Sequence, residues 1–233
     1  NVALGDTALD SVEAGGASNV AIGTNSATAL TTGDYNTAVG KSALLTNTTA
    51  SNNTALGAFA LRDNLTGASN TAVGMTALRV NTGDNNTSVG TCSLYENTTA
   101  SRNTAVGFES LKVNTTGNSN VAVGSEALDA NTTASYNTAI GKSSLTDNTT
   151  GAANTAVGFS ALKTNTEGAN NVAMGCGALC LSTTGAGNNA IGRNAMCANT
   201  TGSNNTAVGL QALLANTEGD NNVAIGKQAL DAN

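Results

Sequence analysis

The residues with the most chemistry to offer are four cysteines, Cys92, Cys176, Cys180 and Cys197. None forms a Cys-x-x-Cys pair, which leaves a zinc site with little support. The chain has no histidine, so the commonest general base and metal ligand is missing and a nucleophile–histidine pair cannot be built. Gly40-Lys41-Ser42 and Gly141-Lys142-Ser143 echo the end of a phosphate-binding loop. Each has a tyrosine, Tyr35 or Tyr136, where that loop needs its first glycine, so the match fails. The carboxylates are scattered, with no Asp-rich calcium loop and no paired acids of the glycosidase kind. Catalysis is not expected, nor is a cofactor or a metal.

Two polar patterns remain. Asn47, Asn64, Asn97, Asn114, Asn131, Asn148 and Asn199 each open an Asn-x-Thr sequon. In a secreted chain they are candidate glycosylation sites; the same Asn-Thr-Thr runs are also turn chemistry. Thr37, Thr54, Thr71 and Thr104 recur in register, and a flat array of threonines could order water and bind ice or another crystal surface. Val121 and Val172 interrupt that array.

Both patterns come from one repeat. Fourteen units run from end to end, each opening with Asn and closing a short strand-like run with Gly. The opening asparagines are Asn1, Asn19, Asn36, Asn53, Asn70, Asn86, Asn103, Asn120, Asn137, Asn154, Asn171, Asn188, Asn205 and Asn222. The spacing is 17 residues, with one 18 and one 16. Numbered from its Asn, the unit reads N-T-A-V-G-x-x-A-L-x-x-N-T-T-G-x-x. Charged residues avoid positions 1–5, 8 and 9 and collect at positions such as 6 (Lys41, Lys142, Arg193, Lys227) and 10 (Arg62, Arg79, Lys112, Lys163).

A 17-residue unit is too short for a helix-turn-helix repeat. Its Asn, Thr and Gly content disfavours helix. Alternation at positions 2 and 4 suggests a short strand, and Gly at 5 followed by Asn-Thr-Thr-Gly suggests corners. The expected fold is all-β: a β-solenoid, or β-roll, of 14 stacked coils forming a single repeat array over residues 1–233. Like residues then stack in columns. Position 1 is expected to form a ladder of side-chain amides, and Val at 4 with Leu at 9 to fill the interior. Cys180 and Cys197 share position 10 in successive coils, about 4.8 Å apart on rung spacing, within disulfide reach. Cys176 competes as a partner. Two large apolar residues per coil are too few to offset the ordering of the chain, so burial between chains is expected and the array should be homo-oligomeric. Phe108 and Phe159 share position 6 with Met75 and Leu210. Together with Phe59 and Tyr95 they are expected to form an inter-chain seam or a sugar-stacking patch. The chain starts at position 1 of a unit and stops at position 12 of another, Asn233, which suggests a segment of a longer fibre or end-to-end stacking.

Asn36-Thr37-Ala38-Val39-Gly40 and its thirteen counterparts resemble the head repeats of trimeric autotransporter adhesins. They are more similar still to the N-T-A-V-G-x-x-A-L-x-x-N-T-T-G arrays of phage and viral tail-fibre-like proteins. The resemblance covers the whole chain. It implies a trimeric, left-handed β-roll exposed on a virion or cell surface, with a surface glycan or receptor as partner. The adhesin repeat is shorter, and no stalk, anchor or chaperone domain accompanies this one.

Composition agrees with a structural role. Of 233 residues, 10% are charged and 3% aromatic, and the net charge is −6. That balance disfavours nucleic acid, and no apolar run is long enough for membrane insertion as a helix. The sequence therefore predicts an extracellular or virion-surface fibre segment, a scaffold or adhesive rod whose main partner is itself. The alternative is an ice- or crystal-surface-binding solenoid.

Overall fold

The computed structural model describes residues 1–12 and 16–232. It is all-β, with no helix among the described residues. The chain divides into two compact units, 1–118 and 119–233. Each is a parallel β-solenoid.

In the first unit the strands are β1 (Val2–Leu4), β2 (Val20–Ile22), β3 (Thr37–Val39), β4 (Thr54–Leu56), β5 (Asp63–Asn64), β6 (Thr71–Val73), β7 (Val80–Asn81), β8 (Thr87–Val89) and β9 (Thr104–Val106). Seven of them stack in parallel in the order β1-β2-β3-β4-β6-β8-β9, with Ala21 on Ala38 and Ala38 on Ala55. β5 and β7 make a second, two-strand ladder at another corner of the coil. The second unit repeats the scheme with β10 (Val121–Val123), β11 (Thr138–Ile140), β12 (Thr155–Val157), β13 (Val172–Met174), β14 (Asn189–Ile191), β15 (Thr206–Val208) and β16 (Val223–Ile225), each paired with the next. The register follows the sequence repeat even where the repeat shortens: Thr71 still faces Thr87, sixteen residues on. The coil opened by Asn222 reaches position 12 at Asn233, which lies outside the described residues.

The coil bends where its sequence permits. Gly141, at position 5, has φ +132°, and a Cβ there would lie 2.5 Å from the carbonyl oxygen of Gly158 in the next coil. Only glycine fits both the dihedral and the gap. Two turns follow, closed by Ala161 N–H to Gly158 O (3.3 Å) and Asn148 N–H to Leu145 O (3.2 Å) in their respective coils. Positions 7, 9 and 17 all take left-handed backbone, as at Ser143 (φ 53°), Leu145 (φ 50°) and Tyr136 (φ 64°). For leucine this conformation is unfavourable. It holds because the residue is fully buried, which stabilises by about 1.5–3 kcal/mol per leucine.

The interior differs from the expectation in one respect. Position 3 alanines such as Ala139 and Ala156 are fully buried, while the strand residues on either side face outward. Leu56, Ile140 and Met174, all at position 4, are 41–46% exposed. Successive strand residues point to opposite faces, so burying the alanine turns positions 2 and 4 out together. Position 4 is therefore outer wall, not core. The core is Ala at 3, Ala or Ser at 8, Leu at 9, and asparagine at 1 and 12. Substitutions within it compensate. Ser88, the one serine at position 3, bonds Ser93 across the same coil. Ala27 at position 9 is accompanied by Leu30 at position 12, and both are buried.

Candidate functional site

Asparagine is the residue the coil uses most heavily, and its two columns do different work. At position 1 the side-chain oxygen accepts the backbone N–H of the next position-1 asparagine: Asn154 N–H to Asn137 Oδ1 at 2.9 Å, Asn171 N–H to Asn154 Oδ1 at 2.9 Å, Asn53 N–H to Asn36 Oδ1 at 3.0 Å. Its NH₂ closes its own coil by donating to the carbonyl of position 15, as from Asn154 to Gly168 O (2.8 Å). The expected amide-to-amide ladder is present at position 1 only as an addition, for instance Asn36 Nδ2 to Asn19 Oδ1 at 3.2 Å and Asn222 Nδ2 to Asn205 Oδ1 at 3.0 Å. The main pattern is side chain to backbone, because the orphan donor at the strand start lies nearer than the neighbouring amide. All the opening asparagines from Asn19 to Asn205 are buried; Asn1 is exposed and Asn222 half-buried.

The continuous amide ladder runs at position 12. Asn81 donates to Asn64 (2.8 Å), Asn97 to Asn81 (2.7 Å) and Asn114 to Asn97 (3.1 Å) in the first unit. In the second, Asn148 donates to Asn131 (3.0 Å), Asn165 to Asn148 (2.8 Å) and Asn216 to Asn199 (3.0 Å). Each of these asparagines also donates to the position-15 carbonyl three residues on, or two in the shortened coil at Asn81. One backbone oxygen thus receives both columns: Gly168 O takes Asn154 at 2.8 Å and Asn165 at 2.9 Å.

The same geometry turns the seven sequon asparagines inward. Asn47, Asn64, Asn97, Asn114, Asn131, Asn148 and Asn199 are fully buried, and their amide nitrogens donate inside the coil. A glycan on any of them is incompatible with the closed coil. The corner-chemistry reading is the one the structure supports, and Asn81, Asn165 and Asn216 join the column without a sequon.

Cys180 and Cys197 form a disulfide across successive coils, with Cα atoms 5.0 Å apart. Cys176 is exposed and free, and Cys92 is free and half-buried. The bridged coils are also one place where the position-12 ladder breaks, the other being at Asn47, whose Oδ1 is likewise buried without a partner. In the bridged coils Ser182 takes the asparagine's place, and Ser182 Oγ and Asn165 Oδ1 are buried without a hydrogen-bond partner.

Met75 and Phe108 in the first unit, and Phe159 and Leu210 in the second, are exposed at position 6. Phe59 and Tyr95 instead carry cations: Lys41 Nζ and Arg62 Cζ each lie 5.9 Å from the Phe59 centroid, and Arg79 Cζ lies 5.4 Å from that of Tyr95. Lys41 and Lys142 sit in the variable position-6 column. No pocket is found, and no group of three or more His, Cys, Asp or Glu residues converges among the described residues. Among the described residues, no helix is long and apolar enough to cross a membrane.

The most uniform accessible surface is the outer face of the parallel sheet. In each unit it presents positions 2 and 4 of seven coils. All the residues there are Thr, Val, Ile, Leu, Met or Asn189, and none is charged. Comparisons with protein-family models, curated proteins and solved structures found no match.

Proposed function

We propose that the chain is a structural fibre segment that associates with copies of itself through the outer sheet face, at a virion or cell surface. The observation that carries this reading is the charge-free face. The chain has 24 Lys, Arg, Asp and Glu residues, and none occupies position 2 or 4 in any coil. Half-exposed Val, Ile, Leu and Met side chains there leave a broad apolar surface of the kind that marks an interface. Two such faces can pack without burying an unpaired charge. The inter-coil disulfide supports an oxidising, extracellular setting. The fold is made of interchangeable coils held by internal bonds, which suits a spacer or scaffold. Sedimentation of the purified chain tests this directly: an oligomer is expected, and the pair T155K/V157K should shift it towards monomer without loss of β circular dichroism. A wild-type monomer throughout the micromolar range contradicts the reading.

One observation favours a second reading. Thr37, Thr54, Thr71, Thr87 and Thr104 form an unbroken, half-exposed, in-register run on β3, β4, β6, β8 and β9. A regular hydroxyl array beside an aliphatic column suits an ice or crystal surface. Thermal hysteresis of the purified chain distinguishes the two readings, since the fibre reading gives none.

A further inference from the structure

We propose that the first unit carries, at its variable corner, a binding site for an acidic polysaccharide, a sugar chain bearing carboxylate or sulfate groups. This inference does not depend on the fibre reading, and the residues lie outside the charge-free sheet face. Position 10 is free to vary, and in the second unit it mixes Asp129, Lys163 and the disulfide. In the first unit, four successive coils place Arg62, Arg79, Tyr95 and Lys112 there.

The geometry is built rather than incidental. Asp63 lies between the two arginines, its Oδ1 3.5 Å from Arg62 Nε and its Oδ2 3.4 Å from Arg79 Nε. Both Nε atoms are buried and make no hydrogen bond, while the side chains as wholes are 34% and 30% exposed. Asp63 therefore pairs with both guanidinium groups by charge, without a hydrogen bond to either Nε. About a third of each arginine side chain stays open to solvent, and a guanidinium group pairs well with a carboxylate or sulfate. Aromatic contacts fix the same groups from the sides: Arg62 and Lys41 on Phe59, and Arg79 on Tyr95, whose hydroxyl also accepts a hydrogen bond from Arg79 Nη1. Side chains already fixed in place lose less entropy on binding. Lys112, paired with Glu109 at 2.8 Å, extends the column.

Charge and shape favour a sugar over a nucleic acid. Four cations (Lys41, Arg62, Arg79, Lys112) against three carboxylates (Asp63, Glu96, Glu109) leave a local charge of +1, in a chain whose total is −6. A nucleic-acid strand carries one phosphate about every 3.4 Å and needs an unbroken run of cations. Here the carboxylates of Asp63, Glu96 and Glu109 interrupt the run. Exposed Phe108, one coil beyond Tyr95, adds ring surface for a sugar's apolar face.

The test uses the full chain. Binding to heparin (sulfated), polygalacturonate (carboxylated) and dextran (neutral) is measured by calorimetry at low ionic strength, beside single-stranded DNA. The expected result is binding to one or both acidic polymers and none to dextran. R62Q/R79Q should weaken it at least tenfold with an unchanged melting curve, and K163Q, in the same column of the second unit, should leave it intact. Tyr95→Phe, which keeps the ring and loses the hydroxyl that orients Arg79, should fall between. Absence of binding to either acidic polymer overturns the proposal. So does equal binding to DNA, or an R62Q/R79Q chain that folds and binds as the wild type does.

Discussion

Asparagine columns 1 and 12 hold the same residue at the same burial, converge on the same carbonyl oxygen, and differ in what they satisfy. The position-1 side chain answers a backbone donor at the start of every strand. The position-12 side chain donates to a carbonyl that column 1 already serves, and its remaining bonds run up and down the column. A buried backbone group left without a partner cannot be mutated away, whereas a ladder of side chains can be replaced as a set by apolar residues. The natural variation follows this division. Position 1 is asparagine in every coil, while position 12 also accepts Val12, Leu30 and Ser182. Residue identity in a repeat is thus held tightest where a side chain serves the main chain.

The largest expected effect breaks column 1. Asn154→Leu removes the acceptor of the buried Asn171 N–H and forces a branched side chain among polar groups. The expected loss is about 4 kcal/mol, combining an orphaned donor with overpacking, read as a shift in the urea midpoint. Next is the covalent link at the ladder's break at Ser182. Cys180→Ser with Cys197→Ser opens a 17-residue loop, and on chain entropy should cost about 3 kcal/mol. Reducing agent should reproduce that loss in the wild type and change nothing in the double variant. Asn148→Leu makes in column 12 the change just described for column 1. It should cost less, about 2 kcal/mol: the same branched side chain enters the coil and the buried Asn131 Oδ1 loses its donor, but no main-chain donor is orphaned and Gly151 O keeps its bond from Asn137. Equal losses for the two Asn→Leu variants would erase the distinction between the columns. The smallest effect has the opposite sign: Ser182→Asn should restore the ladder between Asn165 and Asn199 and stabilise by somewhat under about 1 kcal/mol. Most of that gain should appear once the disulfide is reduced, because bridge and ladder join the same two coils.

Much of this was legible in the sequence. The 17-residue period set the coil, and Gly141 and its counterparts marked the bend. The shared position of Cys180 and Cys197 placed them within bonding distance. The inward sense of the strand was not legible. Thr-Ala-Val alternates either way round, and hydrophobicity alone puts Val inside. A coil this narrow, already filled by Leu145 and two asparagines, has room only for Ala139. The left-handed backbone at Leu145 was also hidden, because leucine is a poor residue for that conformation and tertiary burial overrides the preference. The sequons misled for a related reason: Asn-Thr-Thr reads as surface, and nothing local shows that the amide turns inward to meet the carbonyl at position 15. The position-10 column of Arg62, Arg79 and Lys112 was visible from the repeat, but not the stacking of Arg62 on Phe59 and of Arg79 on Tyr95, which depends on side-chain direction.

The central claim is that each position-1 asparagine side chain accepts the main-chain N–H of the asparagine one coil on. Long-range NMR correlation through hydrogen bonds measures this directly in deuterated, ¹⁵N,¹³C-labelled protein. A cross-peak is expected from the Asn171 amide nitrogen to the side-chain carbonyl carbon of Asn154, from Asn154 to Asn137, and so along each unit, with slow amide exchange at each. Correlation of these nitrogens with main-chain carbonyls instead, or exchange as fast as an open loop's, would contradict it.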